Sequence, residues 1–113
     1  MHEMAFIEGI LRLVEREGSK AGAEKITAID IKLGDYSDVV PDILKEYFAI
    51  ASKGTIAEQA ELRLTRVPAV MSCRDCGWEG QVVKRNIRCG SCGSMNMKML
   101  SGREFIVERL EAE

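Results

Sequence analysis

A chain of 113 residues, 46% hydrophobic and 30% charged, has room for one compact domain, or for a modest core plus a small module that needs outside help to fold. Its apolar residues are spread along the sequence rather than gathered into a spanning run, so no membrane helix is expected. A net charge of −2 lacks the electrostatic footprint of a general nucleic-acid binder, and none is expected as a partner.

From Met4 to Glu17 the apolar residues fall in two adjacent helical rows, Met4, Ile7, Leu11 and Val14 beside Phe6, Ile10 and Leu13, with Glu8, Arg12, Glu15 and Arg16 opposite. This predicts an amphipathic helix that stops at Gly18. Between Lys25 and Leu33 the period changes: Ile29, Ile31 and Leu33 alternate with Asp30 and Lys32, which predicts a half-buried strand ended by Gly34-Asp35. A second helix is expected from an N-cap at Ser37 or Asp38, with Pro41 in its first turn, running to Gly54. Ala60, Leu62 and Leu64 alternate with Glu61, Arg63 and Thr65 in a second strand closed by Pro68. Glu104 to Leu110, rich in Phe, Ile and Val, reads as a third.

The fold class that follows is α+β. A three-stranded sheet with two helices is built from residues 1–68 and 99–113, and residues 69–98 form an inserted module. The insertion holds all four cysteines, Cys73, Cys76, Cys89 and Cys92, spaced C-x2-C, twelve residues, C-x2-C. Two residues between cysteines let a tight turn aim both sulfurs at one ion, so the double pair predicts a zinc ribbon with Zn2+ held tetrahedrally. Gly77 and Gly93 follow the pairs, where a chain curling around a metal needs positive φ. Four thiolates leave no open position, which makes the ion structural rather than catalytic, and no enzyme activity is expected. A module of roughly 30 residues buries too little apolar surface to hold itself, whereas structural zinc supplies ~10–16 kcal/mol of apparent binding energy. Disulfides and a redox dithiol are disfavoured by a reducing compartment and by the paired symmetry; iron in the same geometry remains compatible.

His2 is the sole histidine and lies beside the α-amino group of Met1. Amine, the His2 amide nitrogen and the imidazole can close a chelate, with the Glu3 amide as a fourth nitrogen. Square-planar nitrogen donors suit Ni(II) or Cu(II), and an α-amine titrates near neutral pH. The alternating Met95, Met97 and Met99 are read as strand or linker packing, because thioethers prefer soft Cu(I).

Met1-His2-Glu3, Gly34-Asp35-Tyr36-Ser37-Asp38-Val39, the two cysteine pairs and Gly102-Arg103-Glu104-Phe105-Ile106-Val107, in this order and spacing, resemble the HypA/HybF family of hydrogenase nickel-incorporation proteins over nearly the full length. The resemblance implies a metallochaperone that delivers Ni(II) for [NiFe]-hydrogenase maturation. It implies His2 as the essential nickel ligand, supported by the Met1 amine and the Glu3 backbone nitrogen, and Zn2+ on Cys73, Cys76, Cys89 and Cys92. Implied partners are the GTPase HypB and the hydrogenase large subunit, with a homodimer allowed for. Gly90 departs from the proline that many members carry after the third cysteine, a change expected to affect only the stiffness of that turn.

An N-terminus without a basic region before an apolar stretch is unlike a secretory signal, so a cytoplasmic location is expected. The competing reading is a zinc-ribbon adaptor for nucleic acid or a protein partner. It draws on a local excess of three positive charges between Val67 and Met99, from Arg74, Lys84, Arg85, Arg88 and Lys98 against Asp75 and Glu79.

Overall fold

The computed structural model describes residues 3–83 and 85–113. Eight elements follow in order: α1 (Glu3–Ala21), β1 (Ile26–Gly34), α2 (Pro41–Ala51), β2 (Glu61–Val67), β3 (Val70–Cys73), β4 (Glu79–Gln81), β5 (Met97–Ser101) and β6 (Phe105–Ala112). They form two three-stranded sheets, ordered β2-β1-β6 and β4-β3-β5. The α+β class expected from the sequence is the observed one. The chain divides into two compact units, residues 1–32, 38–65 and 106–113 in one, and residues 33–37 and 66–105 in the other.

The first unit is held by an aliphatic core. From α1 come Ile7, Ile10 and Val14, from β1 Ile26, Ile29 and Ile31, from α2 Leu44 and Phe48, all at most 2% exposed. Each such side chain contributes roughly 1.5–3 kcal/mol through burial. The buried stripe of α1 is single, running Glu3, Ile7, Ile10, Val14 and Gly18, and Met4 is 48% exposed. The helix therefore does not stop at Gly18. That glycine lies on the buried stripe, where a Cβ would come within 2.6 Å of the Ile56 side chain, so it makes room for packing. The stop is Gly22, at φ +67, four residues later.

The second helix also starts later than its residue types suggest. Val40 is the N-cap, in extended conformation, with no side-chain cap from a neighbour, and Pro41 opens the helix. Proline disfavours helical backbone at the preceding residue, which overrides the capping preference of Ser37 and Asp38. The N–H of Val40 donates instead to Glu3 Oε2 at 3.1 Å, so the cap comes from 37 residues away. Glu3 is only 3% exposed.

On the solvent side of β2-β1-β6, Arg63 reaches Asp30, Glu61 and Glu111, Arg109 reaches Asp30, and Lys32 pairs Glu108. These exposed pairs add little individually. In the second unit, β3 pairs β4 through Met71↔Gly80 and β5 through Met71↔Met99 and Cys73↔Met97. Residues 33–37 are stitched to the rest of this unit: Asp35 N–H donates to Val67 O at 2.9 Å and Tyr36 N–H to Gly102 O at 2.6 Å. Gly34 lies so close to Gly102 that a Cβ would sit 2.1 Å from its carbonyl oxygen.

Candidate metal centre

Cys73 ends β3, and Cys76 follows in the turn toward β4; Cys89 and Cys92 lie on the second turn, ahead of β5. Each turn closes on itself by a short backbone bond, Gly77 N–H to Cys73 O at 3.0 Å and Gly93 N–H to Cys89 O at 3.1 Å. Gly77 and Gly93 stand at φ +82 and +74, the left-handed conformation that a side chain would strain. Both glycines thus serve the turns as their position after each pair predicted.

The two turns bring all four sulfurs within 4.8 Å of one another, the one such cluster among the described residues. Sγ of Cys73 and Cys92 are 3.7 Å apart, and those of Cys76 and Cys89 3.4 Å. A tetrahedral ion with metal–sulfur bonds of about 2.3 Å needs sulfur separations of about 3.8 Å, so the donors fit such an ion. The Sγ of Cys89 also accepts N–H bonds from Ser91 and Cys92, each at 3.3 Å.

The thiols differ in acidity. Burial pushes the Cys89 thiol up, but the amides of Cys92 and Ser91 and the thiols of Cys76 and Cys92 outweigh it and hold Cys89 at about 6. At Cys92 the Ser94 amide pulls down, yet Cys89, burial, Cys73 and Cys76 together push it up to about 12. Cys76 is raised too: the Trp78 amide lowers it, and Cys89 and burial raise it further. Four sulfurs this close cannot all ionise on their own; a divalent cation removes that conflict by drawing the protons off.

Trp78 is the neighbour that sequence reading left without a role. A Cβ on Gly80 would lie 2.4 Å from its indole ring, and one on Gly90 2.6 Å. Gly90 therefore does more than loosen a turn: the indole stands where a proline ring would need space. Also unforeseen are Asp75, Ser94 and Asn96. Ser94 Oγ donates to Asp75 Oδ2, Asn96 Nδ2 donates to Asp75 Oδ1 at 3.1 Å, and Asn96 N–H donates to Ser94 Oγ at 3.0 Å. Polar residues 19 and 21 positions apart leave no periodic signal that would pair them.

Of the residues expected to hold nickel, Met1 and His2 lie outside the described residues, as does Lys84 of the basic excess. Glu3 begins α1, and its carboxylate holds the Val40 amide, so the third residue of the chain is fixed. Arg74, Arg85, Arg88 and Lys98 are all exposed. Met97 and Met99 pack half-buried in β5, while Met95 is 70% exposed. No helix among the described residues is long and apolar enough to cross a membrane.

Residues 1–112 match the family model described as hydrogenase/urease nickel incorporation, metallochaperone, hypA. The hydrogenase maturation factor HypA of Aquifex aeolicus is 33% identical over the whole of this chain and 98% of its own length. That of Shewanella sp. strain MR-7 is 35% identical, again over the whole chain and 96% of the relative. Two solved structures share the fold. The solution structure of the Ni metallochaperone HypA from Helicobacter pylori has a TM-score of 0.67 at 21% identity, covering 99% of this chain and 97% of that one. A second HypA solution structure has a TM-score of 0.72 at 22% identity, covering 100% and 97%. A metal-binding cluster of four cysteines and a match that runs through both units lead to one assignment: the chain belongs to the HypA family of nickel-incorporation metallochaperones and hydrogenase maturation factors.

Proposed function

We propose that this chain binds Ni(II) at its N-terminus through the Met1 amine, the backbone nitrogen and imidazole of His2 and the backbone nitrogen of Glu3, and delivers it for [NiFe]-hydrogenase maturation. The observation that carries the reading is the family match across residues 1–112, which includes Met1-His2-Glu3. The buried Glu3 supports it. Its carboxylate anchors the residue whose amide would complete the nitrogen set. Nitrogen ligands in a plane favour Ni(II) over Zn(II), which prefers a tetrahedron.

Cys73, Cys76, Cys89 and Cys92 would hold a structural Zn2+, whose role is to supply the core that the second unit lacks. Transfer of nickel then needs ligand exchange with an acceptor and no catalysis by this chain. The partners proposed are a HypB-type GTPase and the hydrogenase large subunit, in the cytoplasm, with self-association as a homodimer.

Titration of Ni(II) into untagged, zinc-loaded protein tests the reading. The parent should show one site with the absorption of planar Ni(II), and His2→Ala should lose it. An N-terminal tag should abolish the site and a C-terminal tag spare it, because only the former converts the amine to an amide. Equal nickel binding by parent and His2→Ala overturns the assignment.

A further inference from the structure

Hydrogen bonds within each cysteine turn shape that turn alone, and hold neither turn to the other. Between them run the end of the β3–β5 pairing at Cys73↔Met97, the Arg74 N–H bond to Asn96 O at 2.9 Å, and the Asp75 carboxylate. Asp75 sits inside the first pair, next to Cys76. Ser94, its hydroxyl donor, is two residues past Cys92, and Asn96 is two further on. One carboxylate thus takes a donor on each oxygen from the far turn, and Ser94 Oγ is itself steadied by the Asn96 N–H. With both oxygens so engaged, Asp75 is a bridge and not a fifth ligand.

We propose that Asp75 is a positioning residue that makes the four-sulfur site slow to release its ion, by clasping the two cysteine turns together from outside the cluster. The inference rests on the zinc reading given above. Cys76 and Cys92 are the exposed residues of the set, and each belongs to a different turn. A competing chelator gains its first hold where a sulfur can swing outward, and the clasp ties the chain beside Cys76 to the chain beside Cys92. On the proposed function the chain hands on one ion and keeps the other, and groups that hold the ligands of the kept ion in place slow its loss.

Partners that orient metal ligands without touching the ion typically change metal affinity by 10–100-fold when removed. The measurement is the time course of zinc transfer from the untagged full chain to the coloured chelator 4-(2-pyridylazo)resorcinol, with metal content of the parent determined first. Asp75→Ala should release zinc about tenfold faster than the parent. Asp75→Asn, which keeps an acceptor for Asn96 and can donate to Ser94, should restore most of the parent rate. The Co(II)-substituted Asp75→Ala protein should retain the visible absorption of a tetrahedral thiolate site, which separates faster exchange from a broken site. Ser94→Ala removes the same bridge from the other turn and should also speed release, so the idea stays testable if Asp75→Ala does not fold. Parent-like release from Asp75→Ala or, where that variant does not fold, from Ser94→Ala, overturns the proposal and leaves the zinc reading standing. A parent chain without zinc sinks the reading itself.

Discussion

At the scale of single residues, two contacts carry consequences out of proportion to their size. Glu3 Oε2 is the acceptor for the N–H of Val40, the N-cap residue just before α2, so Glu3→Ala leaves that amide unsatisfied. Losses of this kind cost about 1–2 kcal/mol, measurable as a lowered urea midpoint, whereas Glu8→Ala on the exposed face of the same helix should stay within about 0.5 kcal/mol. Gly34 faces the backbone of Gly102 and Arg103, with no flexible side chain to give way. Gly34→Ala should therefore destabilise the protein by at least the ~1–3 kcal/mol typical of overpacking. Neither contact is visible in local sequence. Gly34 reads as a strand stop and Glu3 as a helix-start carboxylate, because a sequence pattern reports neighbours along the chain and not what another segment brings alongside.

Elements show where that limit lies. Both helices and the three strands of the first sheet were legible, because each carries a periodic apolar face long enough to be distinguished, as in Ile29, Ile31 and Leu33. Phe48, at 2% exposure on α2, is the largest fully buried side chain, and Phe48→Ala should cost ~3–5 kcal/mol in chemical unfolding. Helix ends were read less well: Gly18 yielded to packing against Ile56, and Ser37 and Asp38 yielded to the restraint of Pro41 on Val40. Of the sheet β4-β3-β5, only β5 was foreseen, as one of two readings of Met97 and Met99. The members of this sheet run three to five residues, too short for alternation to show, and the cysteines dominate the segment. Of the metal site, the four ligands and the two turn glycines were readable from spacing; Trp78, Asp75, Ser94 and Asn96 were not, since their roles depend on tertiary contacts.

For the molecule as a whole, the two units should respond differently to loss of metal. The first has an aliphatic core, and the second carries the four-sulfur cluster proposed to hold zinc. Chelation should disorder residues 66–105 while leaving the helical circular dichroism of α1 and α2 largely in place, a contrast that amide exchange by mass spectrometry resolves. The proton balance of the cluster also gives a direction. With Cys89 at about 6, Cys92 at about 12 and Cys76 raised, binding near neutral pH must expel the protons that Cys92 and Cys76 hold. Zinc affinity should accordingly rise with pH, by about tenfold per unit for each thiol deprotonated, and zinc should be lost on acidification. Competition titrations at two pH values check both sign and slope.

Division of labour between nitrogen and sulfur is the claim on which the rest depends, and X-ray absorption at the nickel and zinc edges of one untagged, doubly loaded sample tests it most directly. The nickel edge should report nitrogen and oxygen neighbours only, in planar geometry, and the zinc edge four sulfurs near 2.3 Å. Sulfur scattering at the nickel edge would contradict the account.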